Sequence, residues 1–152
     1  SINIKGGIQD VIKLFKDVTT QYPNSNAALL ANYRLGSYYY YLNDIDSSIA
    51  SYQSFIKNSP EDTDLIPLAY TGLGYCYESK GDFKSALQNY EKAHKSKAGV
   101  NFESMNYRNI ARIYEALNDR AKALEYYQKA LGKTSDPLVE RFIKRKISTL
   151  LG

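Results

Sequence analysis

One pattern recurs three times in this chain, and it leaves little choice of architecture. Leu35-Gly36, Leu73-Gly74 and Ile110-Ala111 follow one another at spacings of 38 and 37 residues. Four residues after the first member of each pair stands a tyrosine: Tyr39, Tyr77 and Tyr114. Asn43-Asp44, Gly81-Asp82 and Asn118-Asp119 keep the same register, as do Ser48, Ala86 and Ala123. Tyr52, Tyr90 and Tyr127 follow in turn, then Phe55, Ala93 and Ala130. A fixed period over this many positions marks a repeat architecture, in which each unit buries its apolar face against the next.

Each unit reads as two helices. Tyr70, Leu73 and Tyr77, like Tyr107, Ile110 and Tyr114, are spaced three and four apart and form one apolar stripe. The Gly or Ala beside the Leu or Ile leaves a dent for a neighbouring side chain. The Asn/Gly-Asp pair makes the turn: Asn and Gly accept the left-handed conformation that ends a helix, and Asp caps the next one. The second helix has its own stripe, as in Ala86-Leu87, Tyr90 and Ala93.

These residues resemble the tetratricopeptide repeat (TPR): aromatic-x-x-Leu-Gly-x-x-Tyr, a Gly-Asp turn, then Ala-x-x-x-Tyr-x-x-Ala. The resemblance implies an all-α TPR superhelix of antiparallel helix pairs, right-handed in this family. The expected layout is a single domain with a leading half-repeat helix over 8–23, repeats over 26–60, 64–97 and 101–135, and a capping helix over 136–151. The period exceeds the usual 34 by three or four residues, with the additions in the links Asn58–Pro67 and Lys95–Phe102. Ser135-Asp136-Pro137 starts the cap, whose apolar residues 138, 139, 142, 143, 147, 150 and 151 are expected to cover the last repeat. Basic residues 141–146 read as its solvated side. Phe15, Tyr22-Pro23-Asn24-Ser25 and Tyr33-Arg34-Leu35-Gly36 look, more narrowly, like TPR proteins of bacterial cell envelopes, of the Tol–Pal accessory and outer-membrane assembly lipoprotein type.

Composition narrows the function classes. Of 152 residues, 43 % are apolar and 24 % charged, a globular balance, and no apolar run is long enough to span a bilayer. One cysteine excludes an internal disulfide framework and a Cys-cluster zinc site, and one histidine removes most imidazole constellations. Neither catalysis nor a metal or cofactor is expected. Cys76 reads as a packed thiol, His94 as an outer-surface residue, and Gly6-Gly7 as a linker or flexible start. The chain opens on Ser1 rather than Met, so a preceding segment is expected and the compartment stays open. Residues 105–152 carry ten basic and five acidic groups, against ten and eleven over residues 1–104. That local positive field attracts acidic partners and is too weak to mark a nucleic-acid binder.

In TPR proteins the first helices line a concave surface that holds another protein. Carried over, this gives Tyr33, Arg34, Ser37, Tyr40 and Tyr41 from the first unit. The second gives Thr71, Tyr75 and Glu78, and the third Arg108, Asn109, Arg112 and Glu115. Tyr and Arg concentrate interface energy, because each joins a rigid apolar body to a directed polar group. The implied function is a non-catalytic scaffold holding a peptide or protein segment, with an acidic segment suggested by Arg108 and Arg112. Self-association is the alternative. The carboxylate clamp of chaperone-binding TPRs is absent, since its slots hold Tyr33, Ser37, Gly72, Met105 and Asn109. Of the 15 tyrosines, Tyr22, Tyr38 and Tyr126 have no role assigned by the repeat.

Overall fold

The computed structural model describes residues 3–152. Among them lie α1 (Ile4–Gln21), α2 (Asn26–Tyr41), α3 (Ile45–Asn58), α4 (Leu65–Ser79) and α5 (Phe83–Lys95). A 3-10 turn at Gly99–Phe102 leads into α6 (Glu103–Ala116), α7 (Arg120–Leu131) and α8 (Pro137–Leu151). The described residues contain no strand. Helices α2/α3, α4/α5 and α6/α7 form the hairpins, with α1 packed on α2 and α8 on α7.

The three turns are built alike. Asn43, Gly81 and Asn118 take φ of 63°, 73° and 58°, the left-handed conformation that ends a helix. The following Asp44, Asp82 and Asp119 accept from the amides of Ser47, Ser85 and Lys122, which satisfies a free donor at each new helix start. Their own amides donate to the carbonyls of Tyr39, Tyr77 and Tyr114, each at 2.9 Å.

Hairpins stack because a ring from each second helix enters the dent on its first helix. Tyr52 lies between α2 and α4, so close that a Cβ on Gly36 or Gly72 would come within 2.7 or 2.5 Å of its ring. Tyr90 sits on Gly74 in the same way, and Tyr127 packs in one cluster with Ala111. Tyr52, Tyr90 and Tyr127 are buried; Tyr39, Tyr70, Tyr77, Tyr107 and Tyr114 are half-buried. In α8 the residue after buried Ile143 is Lys144, which stands in solvent beside Glu140. That helix offers no dent for a further tyrosine.

Four local expectations are corrected. Helix α1 begins at Ile4, because Asn3 accepts from the Gly6 amide and caps it; Gly6-Gly7 is therefore helix rather than linker. On α8 only part of the apolar stripe is covered, since Leu138, Phe142 and Leu151 are exposed. Lys146 is not on a solvated side but half-buried against Glu115. His94 is half-buried, its ring 4.7 Å from that of Tyr107.

Gly74→Ala should lower stability by about 1–3 kcal/mol through overpacking, since its Cβ would meet Tyr90 at 2.2 Å. Gly7, with nothing within 4 Å of its Cβ position, should gain about 0.5–1 kcal/mol on mutation to Ala. Urea denaturation of both variants checks the pair.

Candidate functional site

The first helices present two repeat positions toward one another along the inner side of the stack, and their chemistry changes from one junction to the next. Between the first and second repeats the pair is Tyr40 and Tyr75, with ring centroids 6.4 Å apart. Between the second and third, the equivalent residues are Glu78 and Arg112, joined by Nε–Oε1 at 2.7 Å and Nη2–Oε2 at 2.9 Å. Between the third repeat and α8 the same position holds Glu115, paired with Lys146 at 2.9 Å. The groove therefore runs from aromatic to ionic.

The middle pair is the best connected. The Tyr90 hydroxyl donates to Glu78 Oε2 at 2.7 Å, and Arg112 Nη1 donates to Asn109 Oδ1 at 3.0 Å. The guanidinium lies 5.7 Å from the Tyr75 ring centroid and 5.9 Å from that of Tyr90, within cation–π range. Burial alone would raise the Glu78 carboxyl; hydrogen bonds from Arg112 and Tyr90 and the guanidinium charge outweigh it and hold the group below its usual range. Burial and the Glu78 carboxylate push the Tyr90 phenol far upward. Burial opposes charge on Arg112, and the Glu78 hydrogen bond together with the charge interactions with Tyr90, Glu78 and Tyr75 more than compensates.

Beside this network opens a cavity of about 400 Å³ walled by Tyr75, Met105, Arg108, Tyr127 and Phe142. Asn109, 3 % exposed, reaches its wall with Nδ2 unpaired, and Arg108 Nε and Glu115 Oε1 are also buried without a partner among the described residues. Buried polar atoms left without a partner are uncommon in folded proteins.

The twelve residues named from the sequence divide. Arg34, Ser37, Tyr40 and Tyr41 are exposed; Ser37 bonds the Tyr52 hydroxyl at 2.9 Å, and Tyr40 the Ser79 hydroxyl at 3.3 Å. Tyr75, Glu78, Arg108, Asn109, Arg112 and Glu115 come together around the network and cavity. Two do not reach the groove. Tyr33 packs against Tyr52 and Phe55 at 5.9 and 5.4 Å, its phenol raised by burial. Thr71 is buried, its hydroxyl donating to the Pro67 carbonyl on its own helix. Arg112 is also corrected as a contact for an acidic segment, since its Nε and Nη2 are taken by Glu78. Met105, Phe142 and Lys146 were not among the sequence candidates; treating α8 as one more first helix would have found the last two.

Hairpins locked ring into dent, with a lined inner face, define a helical-repeat solenoid. Two family profiles, each of the tetratricopeptide repeat, match residues 30–62 and 66–132. The chain belongs to the tetratricopeptide-repeat family. It is 38 % identical over 62 residues to the Photosystem I assembly protein Ycf3 of Prochlorococcus marinus, a match spanning 41 % of this chain and 36 % of that protein. The same protein of Cyanophora paradoxa is 38 % identical over 63 residues, again 41 % and 36 %. The chain thus spans about a third of the length of these relatives. Among solved structures, MamA superposes with a TM-score of 0.73 at 16 % identity, over 99 % of this chain and 94 % of that one. PcrH from Pseudomonas aeruginosa gives 0.73 at 20 %, over 84 % and 95 %, and the TPR2B domain of yeast Sti1 gives 0.68 at 20 %, over 80 % and 94 %.

A carboxyl held low in the fold stabilises above its unfolded pKa, and that stability is lost as pH falls through the folded value. The Glu78 contribution is therefore complete above about pH 4.5, the ordinary glutamate value, and disappears below it. Glu78→Gln should cost about 1–3 kcal/mol at neutral pH, under the range for fully buried pairs because the Arg112 side chain keeps 39 % exposure. Urea midpoints taken across the acid range should show the variant losing less stability than the wild type.

Proposed function

We propose that this chain is a non-catalytic protein-interaction scaffold whose inner groove holds an extended segment of another protein. The observation that carries this is the cavity of about 400 Å³ beside Tyr75 and Phe142, with Met105 and Arg108 on its walls. A bound segment would cover the Tyr75 and Phe142 rings and set carbonyl or carboxylate oxygens against the Arg108 guanidinium. Tyr40 and Tyr41, 39 % and 61 % exposed, extend the surface toward the first repeat. The basic excess of residues 105–152 favours a segment with acidic residues, drawn in by the field rather than by Arg112.

The relatives support the general reading. PcrH has been solved with the chaperone binding region of PopD, and the Sti1 TPR2B domain as a complex with pHsp70. The narrower envelope likeness draws no support from these relatives. Self-association is the second reading, favoured by Ile4 and Leu14 of α1, 58 % and 65 % exposed with no helix over them among the described residues.

Immobilised wild type and a Tyr41→Ala/Arg108→Glu variant should capture different proteins from the source extract, while their melting temperatures stay close. Retention of every partner by the variant would refute the groove. Concentration-dependent sedimentation decides the second reading: a monomer at the highest attainable concentration ends it.

A further inference from the structure

The repeats also carry an internal comparison outside the inner groove. In the third repeat, Tyr126 of α7 lies over the first-helix stripe Tyr107, Ile110 and Tyr114. Its ring is 6.1 Å from Tyr107 and 5.5 Å from Tyr114, nearly parallel to the latter at 24°. Lys129, one turn on, stands 4.5 Å from its centroid. The Tyr126 ring thus closes the groove between α5 and α7.

Thirty-seven residues earlier the same stripe is present and the ring is missing. Tyr70, Leu73 and Tyr77 repeat the floor, and Lys92 repeats Lys129, 5.9 Å from the Tyr70 ring. The equivalent of Tyr126 is Asn89, whose amide turns back to the Ser85 carbonyl of its own helix at 2.9 Å. What remains between α3 and α5 is a cavity of about 330 Å³ bounded by Tyr70, Leu73, Tyr77, Asn89 and Lys92, within the size range of ligand pockets. A second cavity of about 550 Å³ adjoins it, sharing Ile56, Tyr70 and Lys92.

We infer that this site takes an aromatic side chain, tyrosine or phenylalanine, from an acidic segment of a partner protein, seated where Tyr126 sits one repeat later. The floor supplies two tyrosine rings and a leucine, the surfaces on which aromatic rings stack. The charge sign follows from the walls. Lys57 and Lys92 are the charged residues lining the smaller cavity, and neither is in an ion pair among the described residues. Lys95 adds a third ammonium in the larger one, whose wall also carries Glu61 and an Asp62 drawn to Lys97 at 3.6 Å, leaving ammonium groups in excess. Carboxylates flanking the ring meet those ammonium groups. The site is separate from the inner groove and does not depend on a segment being bound there.

The test uses two tripeptide probes, acetyl-Glu-Tyr-Glu-amide and acetyl-Glu-Ala-Glu-amide, titrated into the isotope-labelled chain and followed by amide chemical shifts. The tyrosine probe should give saturable shifts around Tyr70, Tyr77 and Asn89 and bind at least roughly tenfold tighter than the alanine probe. Asn89→Tyr, which copies the third repeat, should weaken the tyrosine probe by roughly tenfold or more, and Arg108→Glu should leave it unchanged. If Asn89→Tyr does not fold, Lys92→Glu takes its place and should weaken the same probe. Equal binding of both probes, shifts confined to the inner groove, or a folded Asn89→Tyr that binds like the wild type would each overturn the inference.

Discussion

The structure depends on a ring meeting a missing side chain. Tyr52, Tyr90 and Tyr127 are large, rigid and buried, and each needs a place on the first helix where the backbone comes close. Gly36, Gly74 and Ala111 provide it, and Gly72 provides it a second time for Tyr52 on the following helix. One ring therefore touches its own hairpin and the next, so closing a hairpin and stacking it are the same event. Solenoid stability is built from such neighbour terms. The hydroxyls then set what each junction shows to the groove: Tyr52 reaches Ser37, whereas Tyr90 reaches Glu78 and through it Arg112.

That last contact explains why the groove is not uniform. The facing positions begin as Tyr40 and Tyr75, become Glu78 and Arg112, and end as Glu115 and Lys146. The charged pairs close within the chain and hold the surface in shape. Asn109 and Arg108 are the groups left with spare donors. A segment entering the groove would meet aromatic faces toward the first repeat and the cavity walled by Met105, Arg108 and Phe142 toward the third.

Much of the fold was legible in the sequence because repeat packing is written in spacing. The ring slots, the left-handed Asn43, Gly81 and Asn118, and the capping Asp44, Asp82 and Asp119 stand where periodicity and turn chemistry put them. The candidate site was harder to read, since a first-helix residue can face the groove or the core on a difference of one helical step. Tyr33 turned inward onto Phe55, and Thr71 closed a bond to its own helix. Arg112 looked available because its partner Glu78 lies 34 residues away and belongs to the previous unit. Tyr38 and Tyr126, without a repeat slot, proved to stack on Phe15 and Tyr114. Such contacts depend on what neighbouring helices bring, which spacing alone does not encode.

The most direct test is a double-mutant cycle between Tyr90→Phe and Arg112→Met, read as unfolding free energies at neutral pH. If Tyr90, Glu78 and Arg112 act as one lock across the second and third repeats, the two substitutions should couple by about 0.5–3 kcal/mol. Effects that add to within about 0.3 kcal/mol would show two independent contacts and contradict the lock.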